Sequence, residues 1–474
     1  MKKSMNMGYV IFMAVVAAIG GILFGYDTAV ISGTTEIVKN QFSLSDLKEG
    51  WYVGCALIGS IAGVLVAGTL SDYLGRKVTM LISAALFSIS AIGCTVCGTF
   101  DQLVAYRIIG GVGIGIVSIV SPIYISEVSP AKVRGTLVSL YQLAVTVGFL
   151  LAYLANWVID SNIDGGIVAS ALAGEEVSLM DKIMHSEAWR GMLGSETLPA
   201  LLFFFIIFFI PESPKWLVIK GKLNKASRIF SRIYTNEDEA RNEIAVTRES
   251  VNGGSNGEWK DLLKPGILIA VIAGSAIAIL GQFMGVNAVL YYGPKIFSEA
   301  GFDNPMFSTV LVGVVNMVTT ILAVFIIDRV GRKQLIYWGV SGMIICLLCI
   351  AVYFQWGATL GLGNSFMLVF FLAYVFCCAI SISAIVFVLL SEMYPNSVRG
   401  RAMSIAGFAL WIGTYLIGQL TPVLLGWSQS GTFAIFAVCC IPYMLIMWKV
   451  VPETTGKTLE EIEAHWNSIS KTGK

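Results

Sequence analysis

The sequence predicts an all-α membrane protein with twelve transmembrane helices in two pseudo-symmetric six-helix halves, separated by a cytoplasmic helical insert. Three observations predict this fold. Hydrophobic residues make up 56% of the 474 residues and charged residues only 13%, about half the charged share of soluble domains. The hydrophobic residues fall into twelve runs, each near the length of about 20 residues that a helix needs to cross a bilayer. Charged loop motifs in the first half recur in the second.

Glycine, proline and charged residues divide the hydrophobic runs into twelve predicted helices. The first half contains residues 8–32, 51–71, 78–99, 102–126, 136–159 and 190–210. The second half contains residues 266–297, 306–327, 334–356, 364–391, 402–425 and 432–450, and an amphipathic tail helix is expected at 457–468. The predicted domains are therefore the amino-terminal half 1–211, the insert 212–264, the carboxy-terminal half 265–451 and the tail 452–474.

Charge is concentrated in the insert, where the 53 residues from Glu212 to Lys264 carry ten Lys or Arg and eight Asp or Glu. A stretch so rich in charge must lie in water. Most lysines and arginines of the short loops fall on the same side as the insert, and few, such as Lys39 and Lys295, fall on the other. Because positive loops stay in the cytoplasm, we expect the insert and both termini to be cytoplasmic.

An internal repeat relates the two halves. Asp72-x-x-Gly75-Arg76-Lys77 recurs 256 residues later, beginning at Asp328. Glu127-x-x-Pro130-x-x-x-Arg134-Gly135 recurs 265 residues later, beginning at Glu392. Two duplicated six-helix halves with a central site between them are typical of transporters that work by alternating access.

Opposite charges in these repeated loops can pair across neighbouring helices, because carboxylate–guanidinium pairs have directional geometry. We predict that they form a cytoplasmic latch, which holds one conformation and breaks in the other. The alternative is that they only fix the topology and stay solvated. The candidate latch residues are Asp72, Arg76, Glu127, Arg134, Glu212, Asp328, Arg332, Glu392, Arg399 and Glu453.

Three ionisable residues lie inside hydrophobic runs: Asp27, Arg107 and Glu196. A charge in the bilayer costs at least about 2.5–3.5 kcal/mol on insertion scales, so each is a functional candidate. Each lies five or six residues from the outer end of its predicted helix, about 7–9 Å deep, so the three can form one cluster. Separating Asp27 from Arg107 would let Asp27 bind a proton. A purely structural ion pair is the alternative.

Neutral sugars are bound by amides, hydroxyls and aromatic faces, and such side chains occur near the middle of several predicted helices. Any single amide could instead join two helices. Gln282 and Asn287 are five residues apart, about 140° around a straight helix, so both can reach one ligand only if the helix is unwound near Gly285. The candidate binding residues from this pattern are Phe24, Gln142, Gln282, Asn287, Tyr291, Asn316 and Trp411.

The loop motifs resemble those of a known family. The segment from Gly68 to Lys77 resembles the signature of the major facilitator superfamily, and the segments 211–217 and 452–456 resemble its sugar porter family. The likeness is greatest to bacterial, proton-coupled sugar porters that carry xylose, and it runs from Phe24 to Glu461. It implies the major facilitator fold, a bacterial inner membrane and proton-coupled monosaccharide import. It also implies coupling roles for Asp27 and Arg107, with Glu196 in support.

The chain departs from the sugar porter pattern at one position of its first half and at several positions of its second half. Gly281, Phe149 and Leu410 stand where the family usually has amides. Residues 381–387, which end in Phe387, replace a Gly-Pro pair and a Trp that usually stacks on the sugar. The resemblance therefore leaves the substrate open between a pentose, such as xylose or arabinose, a hexose and a less polar polyol, with Phe387 as a wall of the site. No proline remains to break the tenth helix.

Other classes of protein fit the sequence poorly. All nine cysteines lie in hydrophobic runs and are expected to pack rather than bind metal. No nucleophile–His–acid set is present, so we expect neither an enzyme nor a cofactor, and a net charge of +1 predicts no nucleic-acid partner. The expected partners are a monosaccharide, a proton and membrane lipid, and the protein is expected to be monomeric. A facilitative uniporter and a sugar sensor that does not transport remain alternatives.

Overall fold

A computed structural model of the protein describes residues 5–130, 133–234, 237–253, 259–395, 398–454, 461–462 and 466. Within these residues, twelve helical stretches are long and apolar enough to cross a membrane. The described residues form helices and no strand, apart from an isolated bridge between Met5 and Tyr234. The all-α, twelve-helix prediction is confirmed. Most of the predicted tail helix at 457–468 lies outside the described residues.

The first six spans and their connections are built from nine α-helices. The first five spans are α1 (Met7–Gln41), α2 (Asp46–Leu74), α3 (Arg76–Val96), α4 (Phe100–Val128) and α5 (Arg134–Ser161). The following connection holds α6 (Gly165–Leu172), α7 (Leu179–Asp181) and a π-helical segment (Lys182–Ser186). The sixth span consists of α8 (Ala188–Gly194), α9 (Thr197–Ile206) and a 3₁₀ turn (Ile207–Phe209).

The insert and the last six spans complete the chain. The insert contains α10 (Pro214–Ile219), α11 (Leu223–Ile233), α12 (Glu237–Gly253) and a 3₁₀ turn (Trp259–Leu263). The seventh, eighth and ninth spans are α13 (Pro265–Phe283) with α14 (Val286–Glu299), α15 (Pro305–Val330) and α16 (Arg332–Leu360). The last three are α17 (Asn364–Cys378) with a π-helical segment (Ala379–Ser383) and α18 (Ala384–Met393), α19 (Arg399–Trp427) and α20 (Gln429–Lys449).

The first helix ends nine residues later than predicted, because the polar residues that begin at residue 32 do not end it. Those hydroxyls bond to carbonyl oxygens within the helix. Ser32 Oγ donates to Ala29 O at 2.8 Å, and Thr34 Oγ1 donates to Ile31 O at 2.8 Å. A hydroxyl that is satisfied by its own helix can stay in an apolar environment. The polar run therefore continues α1 instead of ending it.

The chain divides into two compact units. One contains Met1–Ile37 and Cys55–Gly254, and the other contains Val38–Gly54 and Ser255–Lys474. The first unit therefore includes the insert helices α10, α11 and α12. The second includes the end of α1 and the beginning of α2. The division into halves at residues 211 and 265 stays a prediction.

Glycines let several helices of the first unit touch backbone to backbone. A Cβ atom added at Gly25 of α1 would lie 2.0 Å from the carbonyl oxygen of Val145 in α5. A Cβ atom added at Gly111 of α4 would lie 1.9 Å from the carbonyl oxygen of Ala56 in α2. Such contacts are typical of membrane helices, where small residues permit close approach. They hold α1 and α4, which carry Asp27 and Arg107, in a tightly packed unit.

In the second unit, a buried carboxylate pairs with two lysines from different helices. Glu49 of α2 has no exposed surface. Its side chain lies 2.8 Å from Lys39 Nζ at the end of α1, and 2.7 and 2.9 Å separate its two oxygens from Lys295 Nζ of α14. Asp46 also contacts Lys39, at 2.6 Å, but is 44% exposed. From the sequence, the two lysines indicated only topology, and no role was predicted for Glu49.

Glu49→Ala should destabilise the protein much more than Asp46→Ala. Removing Glu49 leaves Lys295 with a mostly buried ammonium that has lost its carboxylate, which costs about 3–5 kcal/mol when a buried pair is broken. Asp46 is half exposed, so its loss should cost at most about 1 kcal/mol. Thermal unfolding of both variants in detergent measures the difference. Equal losses of melting temperature in the two variants would contradict this assignment.

Candidate functional site

A buried ion pair joins two helices of the first unit. Arg107 Nη1 of α4 lies 2.5 Å from Asp27 Oδ1 of α1, and both side chains are at most 3% exposed. The pairing that the sequence predicted for these residues is present. Burial at this level removes both charges from solvent, so each depends on the other for stabilisation.

Glu196 completes this cluster. Its side chain is 2% exposed, and its carboxyl group lies beside that of Asp27. Neither Asp27 Oδ2 nor Glu196 Oε1 accepts a hydrogen bond from a donor among the described residues. Two ionised carboxylates in contact repel each other, whereas one proton between them forms a hydrogen bond. With one proton shared and Arg107 charged, the three groups have no net charge.

The position of Glu196 depends on a break in the sixth span. Ser195 and Glu196 form a turn between α8 and α9, four and three residues before Pro199. A proline lacks the N–H that would bond four residues back, and its ring crowds the carbonyl of that residue. The chain therefore cannot continue as a regular helix through Ser195. This interruption places the Glu196 carboxyl against α1.

The predicted interruption of the seventh span is confirmed. The first part, α13, ends at Phe283 and the second, α14, begins at Val286, with Gly285 in the left-handed region at φ 91°. A Cβ atom at Gly285 would lie 2.4 Å from the ring of Phe436. Tyr374 donates a hydrogen bond of 2.7 Å to the carbonyl oxygen of Met284. Only glycine fits this backbone, and a tyrosine satisfies the carbonyl that the break exposes.

The break brings two candidate sugar-binding amides together. Asn287 Nδ2 donates to Gln282 Oε1 at 2.6 Å. Thr414 Oγ1 of α19 lies 3.2 Å from the same oxygen and completes the cluster. Thr414 was not among the predicted binding residues, although it follows Trp411 by three residues and therefore lies on the same side of that helix. The hydrogen bond between the two amides involves neither Gln282 Nε2 nor Asn287 Oδ1.

The other predicted binding residues differ in burial. In the first unit, Phe24 of α1 and Gln142 of α5 are partly buried. In the second unit, Tyr291, Asn316 and Trp411 are 2%, 9% and 9% exposed, whereas Phe387 of α18 is 51% exposed. Among the binding candidates of the second unit, Gln282 and Asn287 are joined directly by a hydrogen bond. The binding roles of all eight residues stay a prediction.

The loop charges of the first unit converge on Arg76. Its guanidinium forms two bonds of 3.0 Å to the carboxylate of Glu127 and one of 3.0 Å to Asp72 Oδ1. Glu127 also accepts a hydrogen bond of 2.5 Å from Ser213 Oγ. Asp72 is 75% exposed and Glu127 only 13%. The strong member of the cluster is therefore the forked pair between Arg76 and Glu127.

Glu212 closes this cluster at the beginning of α3. Its carboxylate accepts the backbone N–H of Arg76 at 2.9 Å and of Lys77 at 3.1 Å. Burial raises the pKa of Glu212, and the N–H groups of Ser213, Lys77 and Arg76 oppose that rise. An acidic group at a helix amino terminus is favourable because the first N–H groups of a helix lack partners.

The repeated loops of the second unit reproduce this arrangement. Arg332 Nη2 lies 3.0 Å from Glu392, and Thr454 Oγ1 donates to the same carboxylate at 2.5 Å. Glu453 accepts the backbone N–H groups of Arg332 at 3.3 Å and Lys333 at 3.1 Å, at the beginning of α16. Ser213 and Thr454 were not among the predicted latch residues, although each directly follows a candidate glutamate.

The remaining latch candidates take less part in the described clusters. Arg399 contacts the carbonyl oxygen of Tyr394 at 3.4 Å. Arg134 is partly buried, and its Nε has no hydrogen-bond partner among the described residues. The side chain of Asp328 lies outside the described residues.

The cysteines and acidic residues of the described chain form no group of three or more that could hold a metal ion. Cys55, Cys94, Cys346, Cys378 and Cys440 are buried among apolar helices. Their burial is consistent with a packing role.

Comparisons with known proteins match this architecture along nearly the whole chain. Residues 13–466 match the sugar (and other) transporter family. The arabinose-proton symporter of Bacillus subtilis is 38% identical, over 98% of this chain and 96% of its own. The D-xylose-proton symporter of Escherichia coli is 35% identical, over 99% of this chain and 98% of its own.

A solved structure shows the same fold. The inward-open conformation of the xylose transporter XylE from E. coli has a TM-score of 0.83 and 34% sequence identity to this chain, and the match covers 96% of this chain and 100% of that one. The motifs that resemble the major facilitator superfamily, the twelve spans and these matches agree. The chain is a multi-pass membrane transporter, not an enzyme, and it belongs to the sugar transporter family.

Proposed function

We propose that the protein imports a neutral monosaccharide together with a proton by alternating access. The observation that carries this proposal is the contact between two buried carboxyls, Asp27 and Glu196, beside the single guanidinium of Arg107. This group can gain or lose one proton with a change in its net charge. A proton carrier inside a membrane protein needs that property.

The coupling follows from charge balance. With one proton on the carboxyl pair the cluster is neutral, and without it the cluster carries one negative charge in a low-dielectric region. Such a charge is costly. Proton binding from one side of the membrane therefore favours a compact, fully paired cluster. Proton release to the other side requires a conformation in which Asp27 is held by Arg107 alone or is reached by water. Asp27 and Arg107 act as the switch, and Glu196 supports it.

The sugar site is proposed around the interrupted seventh span. Gln282 and Asn287 offer one free amide donor and one free amide acceptor beyond their mutual bond, and Trp411 on α19 offers an aromatic face. We propose that Phe24, Gln142, Tyr291, Asn316 and Phe387 complete the site. The similarity to arabinose and xylose symporters favours a pentose, and the departures at Gly281 and residues 381–387 leave a hexose open.

The repeated loop clusters are proposed as the two parts of the cytoplasmic latch. Each cluster joins the beginning of one span to a carboxylate at the end of another and to the chain that follows the sixth or twelfth span. We further propose that the insert and both termini face the cytoplasm of a bacterium, that the transporter lies in the inner membrane in contact with lipid, and that it acts as a monomer.

Asp27→Asn should abolish sugar accumulation driven by a pH gradient and leave sugar counterflow intact. Asparagine keeps the shape of aspartate and some hydrogen bonds, but it cannot carry a proton. Proteoliposomes with an imposed pH gradient and a panel of arabinose, D-xylose and D-glucose provide the measurement. Cys94→Ser, which changes a buried thiol near the cluster, serves as a control. Uphill accumulation at the wild-type level in Asp27→Asn would instead indicate a uniporter with a structural ion pair.

Gln282→Ala and Asn287→Ala should each weaken sugar binding by more than about tenfold, which corresponds to about 1.4 kcal/mol. Each change removes a polar contact to the sugar and the bond that orients the other amide. Calorimetry in detergent with the transported sugar measures this loss. Thr414→Val tests the third member of the cluster and should have a smaller effect. Wild-type affinity in both amide variants would show that these amides only join helices.

Glu127→Gln should shift the transporter towards its inward-open state more than Asp72→Asn does. Glu127 forms the forked pair with Arg76 and is mostly buried, whereas Asp72 is exposed. A loss of about 1.4 kcal/mol shifts a two-state equilibrium about tenfold. The labelling rate of a cysteine introduced on the cytoplasmic side reports the shift. If the two variants label at the wild-type rate, the cluster only caps the helices.

A further inference from the structure

The residues that precede the two carboxyls are bonded to each other. Tyr26 precedes Asp27 on α1, and Ser195 precedes Glu196 between α8 and α9. The hydroxyl oxygens of Tyr26 and Ser195 lie 2.7 Å apart. Tyr26 is only 5% exposed. The first and sixth spans are therefore joined one residue away from the contact between their carboxyls.

The direction of this hydrogen bond is fixed by a second one. Ser195 Oγ also bonds to the carbonyl oxygen of Met192, at 2.5 Å. A serine hydroxyl has a single proton, and a carbonyl oxygen can only accept. Ser195 therefore donates to Met192 and accepts from Tyr26. Tyr26 must be the donor, so both side chains have a defined orientation.

The break before Pro199 explains why Ser195 is available for this role. In a regular helix the Glu196 N–H would bond to Met192 O, four residues earlier. Here it bonds to Leu193 O at 3.3 Å, three residues earlier. The Ser195 hydroxyl satisfies the carbonyl of Met192 instead. The proline thus fixes the serine, and the serine presents a lone pair to the tyrosine.

We propose that Tyr26 and Ser195 are positioning residues for proton coupling. Their hydrogen bond holds α1 against the broken sixth span at the spacing at which Asp27 and Glu196 share one proton. Neither hydroxyl carries the proton or touches the sugar. This inference rests on the proposed symport. It assigns a role to two residues outside the carboxyl–guanidinium cluster, which is to keep Asp27 and Glu196 at this spacing.

Among the residues that the structure describes, the other titratable groups around the carboxyl pair come from three further helices. They are Arg107 of α4, Cys55 of α2 and Cys94 of α3. The substitutions that test the inference leave all three unchanged. A changed pH dependence of transport in those variants would therefore report on the geometry of Asp27 and Glu196.

The test compares Tyr26→Phe, Ser195→Ala and the double variant in proteoliposomes. Two quantities are measured: the pH midpoint of coupled sugar uptake, and the number of protons taken up per sugar, with arabinose, D-xylose and D-glucose as probes. We expect each single variant to move the midpoint by about half a pH unit or more to lower pH, because carboxyls that move apart hold a shared proton less well. The proton-to-sugar ratio should fall in parallel.

Two further variants separate positioning from folding. The double variant should behave like either single variant, because both remove the same bond, and Ser195→Thr should restore the wild-type midpoint because it keeps the hydroxyl. Tyr141→Phe is the matched control, since the buried Tyr141 hydroxyl of α5 has no hydrogen-bond partner among the described residues. If Tyr26→Phe does not reach the membrane, Ser195→Ala and Ser195→Thr decide the question.

The possible failures are distinguishable. Wild-type midpoints and ratios in both Tyr26→Phe and Ser195→Ala, with normal coupling in the wild type, would overturn the positioning role and leave symport intact. A midpoint shift of the same size in Tyr141→Phe would also overturn it, because loss of any buried tyrosine hydroxyl would then suffice. Sugar transport by the wild type without proton uptake would overturn both proposals.

Discussion

The balance of charge among Asp27, Glu196 and Arg107 constrains the whole first unit. Two carboxyls and one guanidinium share a region in which each residue is at most 2% exposed. An unbalanced charge there is expensive, because little solvent is available to screen it. Close packing enforces this condition: the backbones of α1 and α5 touch at Gly25, and those of α2 and α4 touch at Gly111. A looser unit would admit water, and the proton would then matter little to its energy.

The charged loops have a different role: they supply partners for the backbone N–H groups at the beginnings of two helices, which have no partner within the helix. The first N–H groups of α3 and α16 are taken by Glu212 and Glu453, and Arg76 and Arg332 reach Glu127 and Glu392. Each glutamate after a span thus caps another helix in the same unit. The chain that follows the sixth or twelfth span is thereby fixed to the beginning of the third or ninth. Elements tied in this way are expected to move together as one rigid part.

The sequence alone predicted much of this architecture. Twelve runs of apolar residues gave the twelve spans, because in a membrane the backbone must satisfy its own hydrogen bonds and only long helices do so here. The cost of buried charge marked Asp27, Arg107 and Glu196 as candidates, and their similar predicted depths gave the cluster. The break at Gly285 followed from the angle between Gln282 and Asn287. The depth estimate for Asp27 relied on a first helix ending at residue 32, and that end was wrong because hydroxyls of residues 32–35 bond within α1.

Contacts between side chains that are far apart in the sequence could not be predicted in the same way. Glu49, Ser213 and Thr454 look like ordinary polar residues near helix ends, and only the packed structure shows Glu49 between Lys39 and Lys295. Thr414 and Tyr26 likewise acquire their roles from atoms that are far away in the sequence. A pattern of residue types along a helix gives the face on which a side chain lies, but not the neighbour that it meets.

The three interrupted spans show one physical rule. A break exposes backbone carbonyls inside an apolar unit, where each must find a donor. Ser195 bonds to Met192 O in the sixth span, Tyr374 to Met284 O in the seventh, and Ser381 to Cys377 O in the π-helical segment of the tenth. The tenth span is therefore interrupted without the proline that the family usually has. A hydroxyl beside each break stabilises it. Each break lies within a few residues of a side chain proposed to bind the proton or the sugar: Glu196 in the sixth span, Gln282 and Asn287 in the seventh, and Phe387 in the tenth.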